Sequence, residues 1–232
     1  MDDPLRQAKA KAAATYDAAA DHFDDEPLAF WERIGKRTVE RLALATGAKV
    51  LDVGCGTGAS ALPAAEAVGS KGSVVGVDLS AHLLDRALAK AKAHGLSNVE
   101  FRLAEMTSLG YPNDHFDAVV SVFSIFFVPD MEGLIRELWR MVRPGGKLAV
   151  RAGERSSNRS DRIFIAPSIP GSHHRSGVGP ALAAGWRGNK HRNHVARRKS
   201  EAAFGGRLVD NRSWFGTAVG DRTDGAGGLR AN

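Results

Sequence analysis

The sequence predicts an α/β fold, a doubly wound and mostly parallel sheet with helices on both faces. Three observations predict it. Short apolar runs alternate with helical stretches through the first 150 residues. A glycine-rich turn, Gly54-Cys55-Gly56-Thr57-Gly58, joins the first of those runs to a helix. Asp78 ends the second run, 20 residues after Gly58. Right-handed crossovers then place a ligand at the carboxyl ends of the strands.

The elements follow in order. Ala8 to Phe23 is Ala-rich with few breakers, which predicts a helix. Asp24-Asp25-Glu26-Pro27 is a helix-start signal, and the helix it opens carries Leu28, Trp31, Ile34, Leu42 and Leu44 before Thr46-Gly47 ends it. Val50 to Val53 is a buried strand. Ala59 to Val68 is a small-residue helix that tolerates Pro63 in its first turn. Val74 to Val77 is a strand. Ser80 N-caps a helix that stops before Gly95. Val99 to Leu103 and Asp117 to Val122 are the third and fourth strands. Asp130 to Val142 is a helix closed by Pro144-Gly145-Gly146, and Lys147 to Val150 begins a fifth strand.

Charge divides the chain near Val150. Residues 1–150 carry 17 Lys and Arg against 20 Asp and Glu, a net of −3. Residues 151–232 carry 15 against 6, a net of +9, so the overall +6 is a property of the last third. That third holds 13 of the 26 glycines, and Leu, Ile, Val and Phe make up only 13 of its 82 residues. A segment so poor in apolar residues and so charged falls below the roughly 20% at which a core can form. The organisation expected is residues 1–46 as N-terminal helices capping the site, 47–150 as the core, and 151–232 as a basic tail. No apolar run approaches the roughly 18 residues of a membrane span, and the acidic N-terminus predicts no secretory signal. One cysteine, Cys55, excludes an internal disulfide and suits a reducing, cytoplasmic setting.

The glycines and Asp78 carry the chemistry. Glycine is required where φ is positive or where backbone must approach a ligand. A carboxylate at Asp78 can accept from the two hydroxyls of a ribose. The spacing G-x-G-x-G differs from the G-x-G-x-x-G of dinucleotide binders, so an NAD-dependent reductase fits less well. No Lys-Ser/Thr follows as in a phosphate-binding loop. A nucleoside without phosphate suits the loop, and a tight turn in some other α/β protein is the alternative.

Val50-Leu51-Asp52-Val53-Gly54-Cys55-Gly56-Thr57-Gly58 resembles the first motif of the class I S-adenosylmethionine-dependent methyltransferases, in their type-11 or ubiquinone/menaquinone-biosynthesis-like group. The resemblance covers about Thr15 to Val150. Val77-Asp78 resembles the second motif, Phe116 to Ser121 the fourth-strand motif, and Leu138 to Gly146 the helix and turn before the fifth strand. Tyr16-Asp17-Ala18-Ala19-Ala20 and Phe23 resemble the helix that caps the cofactor. The resemblance implies a Rossmann-like fold, S-adenosylmethionine as cofactor, and methyl transfer to a small-molecule acceptor by direct displacement. It implies cofactor contacts from Asp52, Gly54, Cys55, Gly56, Thr57, Gly58, Asp78, Leu79, Met106, Ser121 and Tyr16. Glu105 stands where the group usually has an Asp beside the adenine and is one methylene longer. No catalytic residue is singled out, since displacement from a sulfonium needs alignment and exclusion of water more than acid–base groups.

Other residues have plainer readings. Cys55 is a small residue packed in the loop, His22 a surface histidine, His115 a turn residue, and Ile125 to Val128 core or pocket wall. His173, His174, His191 and His194 lack partners of metal-ligand type, so no metal is expected. Asn158 and Asn211 match a glycosylation pattern that has no meaning without secretion. The tail leaves three readings: a basic arm binding nucleic acid or an acidic surface, a segment that folds on binding, or a reading frame that slips near Val150. Its abrupt turn to Arg, Gly, Ser and Ala favours the slip. Ile163 to Ile165 and Arg207 to Val209 read as too short for strands, so the fifth strand is expected at a sheet edge without the usual last strands, beside an incomplete acceptor pocket. The competing function is a non-catalytic cofactor-binding or nucleic-acid-binding module built on the tail.

Overall fold

The computed structural model describes residues 4–25, 30–151 and 163–167. They lie within residues 1–183, and residues 184–232 fall wholly outside the described residues. Helix α1 (Pro4–Ala19) runs into a single 3-10 turn (Ala20–His22) and is followed by α2 (Phe30–Leu42). Then come β1 (Lys49–Val53), α3 (Ala61–Val68), β2 (Ser73–Asp78), α4 (Ala81–Ala93), β3 (Val99–Leu103) and β4 (Phe116–Val122). A 3-10 turn (Ile125–Phe127), α5 (Met131–Arg140), β5 (Val142–Arg151) and β6 (Ile163–Pro167) complete the described elements.

The six strands form one sheet in the order β3-β2-β1-β4-β5-β6. The first five are parallel, and β6 runs antiparallel to β5. The order reverses direction at β1, between β2 and β4, so the loops leaving β1 and β4 part there and open a crevice. Strand β1 is buried along Val50 to Val53 and β4 along Ala118 to Ser121, as continuous apolar strands with helices on both faces must be. The core joins these strands to the small face of α3 (Ala61, Ala64, Ala65, Val68) and to Val39 and Leu42 of α2.

Local chemistry sets the boundaries. The Ser80 hydroxyl accepts from the Leu83 amide at 3.1 Å and starts α4, as the sequence predicts. Asp130 Oδ1 accepts from the Gly133 amide at 2.8 Å and starts α5. Helix α2 stops at Leu42 because Ala43 turns to a φ of +45°, so Leu44 lies beyond the helix rather than in it. Pro144-Gly145-Gly146 does not close α5, which ends at Arg140. It lies within β5, where the register against β4 shifts between Phe116 and Ala118. Gly146 is needed there, since a Cβ would stand 2.6 Å from the Asp117 carbonyl oxygen.

One expectation is corrected. Ile163 to Ile165 belong to a five-residue strand, β6, which pairs with β5 from Lys147 opposite Pro167 to Arg151 opposite Ile163. The fifth strand is therefore covered on its outer side. A strand this short is defined by the backbone edge it pairs with and leaves little pattern of its own. The histidines 173, 174, 191 and 194, Asn158, Asn211, residues 207–209 and the rest of the basic tail lie outside the described residues, as do Glu26, Pro27 and Leu28. Among the described residues no helix is long and apolar enough to cross a membrane.

Candidate functional site

A cavity opens at the carboxyl ends of β1, β2 and β4. The glycine loop and Asp78 line one side. Tyr16 of α1, Trp31 of α2, and Phe123 just after β4 line the other.

The loop is shaped by its glycines. Gly54, Gly56 and Gly58 have φ of +70°, +53° and +90°. Both the Gly54 and Cys55 amides donate to the Val77 carbonyl, at 2.8 and 3.0 Å, which ties the loop to the end of β2. At Gly54 a side chain is also excluded by space, because a Cβ would lie 2.3 Å from Ser124 Cβ. Ser124 is held there by donating to the Val53 carbonyl at 2.8 Å, and its oxygen lies 2.5 Å from Ser121 Oγ.

Asp78 closes the pattern. Its Oδ2 accepts from the Gly56 amide at 2.9 Å and its Oδ1 from the Ser80 amide at 3.0 Å. Burial raises its pKa, and the Ser80, Gly56 and Leu79 amides oppose that rise. An ionised carboxylate offers about four lone-pair positions, so Asp78 keeps acceptor capacity toward the cavity. Tyr16 is raised by its own burial and then by the Asp78 charge, and stays neutral. Cys55 is buried and its thiol is pushed well up, by desolvation first and by Asp52 and Asp78 next, which fits a packed rather than a reactive thiol.

Asp52 lies behind the cavity wall, fully buried, and accepts from the Ser60 hydroxyl at 2.7 Å. Burial pushes its carboxyl up to about 7, against partial relief from Ser60. The folded chain thus holds that proton up to about pH 7, whereas the unfolded chain releases it near 3.8. The folded state binds more protons in between, so this group's contribution to stability declines as pH rises through that window. Asp52→Asn is expected to flatten that decline, read as urea midpoints of parent and variant at pH 5 and 7.5. Equal midpoint differences in the two proteins would assign the slope to another group.

The N-terminal helices are fastened across the cavity by polar contacts from distant sequence. Lys9 of α1 pairs with Glu105 after β3. Asp17 accepts from the Ser80 hydroxyl at 2.5 Å, and Asp24 accepts from the Thr57 hydroxyl at 2.7 Å and pairs with Lys90 at 2.6 Å. His22 sits on the surface beside Asp25, 2.9 Å away.

Of the residues singled out in the sequence, Tyr16, Gly54, Cys55, Gly56, Thr57, Asp78, Leu79 and Met106 line the cavity together. Asp52, Gly58, Glu105 and Ser121 are not among its lining residues. Asp52 and Ser121 stand one side chain back, behind Ser60 and Ser124, which do line it. Gly58 packs against Leu62 and Ala87. Glu105 is engaged by Lys9 and by the Thr107 hydroxyl. Trp31, Ser60 and Ser124 join the lining without having been singled out for it, and Phe127 comes from the run 125–128 read as core or pocket wall. Their signal is spatial, since only the fold brings α2 and the loop after β4 to the glycines.

Residues 50–146 match the family model described as a methyltransferase domain. The crystal structure of a SAM-dependent methyltransferase from Aquifex aeolicus aligns with a TM-score of 0.52 and 25% identity, over 62% of this chain and 77% of that one. Over these residues the chain is similar to methyltransferase domains. Aklanonic acid methyltransferase DauC of Streptomyces sp. (strain C5) is 33% identical over 141 residues, 61% of this chain and 64% of the relative. Demethylmenaquinone methyltransferase of Anoxybacillus flavithermus is 34% identical over 137 residues, 57% of this chain and 58% of the relative. The chain thus spans about three-fifths of the length of these curated relatives. The span matched by the methyltransferase-domain model takes in Asp52, the glycine loop, Asp78, Glu105 and Ser121. Tyr16 and Trp31 precede it, so two walls of the cavity come from outside the common core.

Proposed function

We propose that the chain is an S-adenosylmethionine-dependent methyltransferase that acts on a small-molecule acceptor by direct methyl displacement. The observation that carries this reading is the placement of Asp78. Its carboxylate faces the cavity beside the Gly56 amide, where a ribose diol could donate to it. The donor set suits the cofactor in two further ways. Asp78 is the one carboxylate among the described lining residues, and it suits a ligand that carries positive charge. The bare backbone at Gly56, where a Cβ would stand 3.7 Å from the lining residue Phe23, leaves room for a ligand to approach.

Bound there, S-adenosylmethionine supplies a methyl carbon that an acceptor lone pair can attack while the carbon–sulfur pair leaves with sulfur. The protein's part is placement. Asp78 and Leu79 are proposed to hold the nucleoside, Gly54 to Gly58 and Ser124 the amino-acid end, and Met106 the adenine side. Tyr16 and the aromatic residues exclude water, which displacement from a cation rewards. The relatives named above act on small molecules by their names, and this supports the same acceptor class here. A reducing, cytoplasmic setting suits the single buried Cys55 and belongs to the same proposal.

The test is calorimetric titration of the purified chain with S-adenosylhomocysteine and S-adenosylmethionine. Binding in the micromolar range with one site per chain is the expected result. No heat with either ligand at 1 mM would sink the reading.

A further inference from the structure

Residues 4–25 form a strap along the cavity that is held by charge more than by burial. Ala12, Ala13, Tyr16 and Phe23 of this segment line the cavity together with Asp78 and Leu79. Among the residues of the strap whose burial is described, only Ala19 and Ala20 are buried. A segment with so little apolar burial opens locally at small cost unless polar contacts hold it. Those contacts fall at three places. Lys9 pairs with Glu105, ahead of Ala12 and Ala13. Asp17, next to Tyr16, accepts from the Ser80 hydroxyl at 2.5 Å and from the His82 amide at 3.2 Å. Asp24, next to Phe23, accepts from the Thr57 hydroxyl at 2.7 Å and pairs with Lys90 at 2.6 Å.

The third anchor differs from the others in what it joins. Arg86 and Lys90 stand one turn apart on α4, so both cations meet the acidic end of the strap. Arg86 contributes little. Its partner Asp21 is 90% exposed, where ion pairs are weak, and its Nε lies 3.7 Å from Asp24, beyond hydrogen-bond distance. The Lys90 and Asp24 side chains are only 30% and 25% exposed and in direct contact. Lys90 also donates to the Thr57 hydroxyl at 3.3 Å, and that hydroxyl donates to Asp24. The three groups close a ring that ties α4 to the strap and to the glycine loop. Thr57 is buried and lines the cavity, next to Gly56, whose amide donates to Asp78. Lys9, by contrast, reaches only the segment after β3. Lys90 is not itself a lining residue.

We propose that Lys90 is a positioning residue that sets the rate of cofactor exchange, by pinning the Asp24 end of the strap and the Thr57 hydroxyl in one ionic contact. The ligand's identity rests on the methyltransferase reading, whereas the contact is testable without a ligand. Opening the strap breaks Asp24–Lys90 in the empty and the filled protein alike. The contact therefore slows entry and departure together and leaves the equilibrium affinity almost unchanged. A residue that only shaped the site would change departure alone. Salt weakens the same contact. S-adenosylhomocysteine is a zwitterion with no net charge at neutral pH, so a salt effect on its entry does not come from steering of the ligand.

The experiment is stopped-flow binding of S-adenosylhomocysteine to the full chain, followed by tryptophan fluorescence at 20 and 500 mM NaCl. At low salt Lys90→Gln is expected to raise the association and dissociation rate constants about 5-fold each, with Kd within twofold of the parent. Lys90→Arg keeps the charge and is expected to stay close to the parent. The parent's association should quicken about 3-fold at high salt, and that of Lys90→Gln by less than half as much. Rate constants of Lys90→Gln within twofold of the parent overturn the proposal, as does a rise in dissociation alone. If Lys90→Gln does not fold, the parent's salt response decides: the 3-fold rise supports the contact, and association independent of salt overturns it. Hydrogen exchange read by mass spectrometry needs no ligand. Amides of residues 10–19 are expected to exchange about 5-fold faster in Lys90→Gln than in the parent, with those of β1 unchanged. Equal exchange at 10–19 overturns the proposal. Faster exchange there in the variant, with a parent that binds no S-adenosylhomocysteine, would remove the methyltransferase reading and leave the strap contact standing.

Discussion

Asp78→Ala is expected to weaken S-adenosylhomocysteine about 100-fold while leaving the chain folded. The carboxylate already accepts from the Gly56 and Ser80 amides and retains acceptor positions toward the cavity. A ribose diol would add two hydrogen bonds to a charged acceptor, each worth about 1.5–3 kcal/mol. Losing both, with water partly substituting, removes about 3 kcal/mol, and every 1.4 kcal/mol is tenfold. Stability is expected to change little. Burial raises the Asp78 pKa, so the side chain contributes desolvation cost as well as hydrogen bonds. Asp78→Asn keeps one carbonyl oxygen and should fall between, near 10-fold. Titration of the three proteins with S-adenosylhomocysteine, with thermal melts alongside, reads both effects. An Asp78→Ala affinity within threefold of the parent would show that the nucleoside does not rest on this carboxylate.

Much of this site was legible in the sequence because its chemistry is local. Parallel strands buried on both faces read as short apolar runs, which is why β1 to β4 fall within one residue of their expected bounds. The glycine loop announces itself because positive φ at Gly54, Gly56 and Gly58 is a demand that few residue types meet. Asp78 follows from its place at the tip of a strand. What stayed hidden depends on pairs far apart in the chain. Glu105 sits at the position that the family resemblance marks for the adenine, yet its carboxylate meets Lys9, 96 residues away. Trp31 and Phe123 form a corner that no periodicity relates. β6 has a partner edge and little pattern, so composition alone left β5 exposed. Lys147 reaches across to donate to the Leu42 carbonyl at 2.6 Å, a tether between β5 and the end of α2 that spacing does not suggest.

Gly35 is the sharpest case of a residue whose importance only the fold reveals, and Gly35→Ala is expected to destabilise the chain by about 3 kcal/mol. Propensity argues the other way, since alanine in a helix interior is better than glycine by about 1 kcal/mol. Space decides. A Cβ at Gly35 would stand 2.2 Å from the Ala59 carbonyl oxygen, 2.5 Å from its carbon and 2.9 Å from the Ser60 amide nitrogen. All three are backbone atoms just past the glycine loop, and they cannot swing aside as a flexible side chain would. Relief requires α2 to move off the segment before α3. That motion carries Trp31, one turn earlier on the same helix, and it disturbs Ala59 and Ser60, which line the cavity. It also loosens the Ser60 hydroxyl from buried Asp52. Stability and ligand affinity should therefore fall together, unlike in Asp78→Ala, where affinity falls alone. Urea unfolding gives the first quantity and S-adenosylhomocysteine titration the second. A midpoint equal to or above the parent's would mean that α2 packs less closely on the Ala59–Ser60 backbone than the structure places it, and that the Trp31 wall is free to shift.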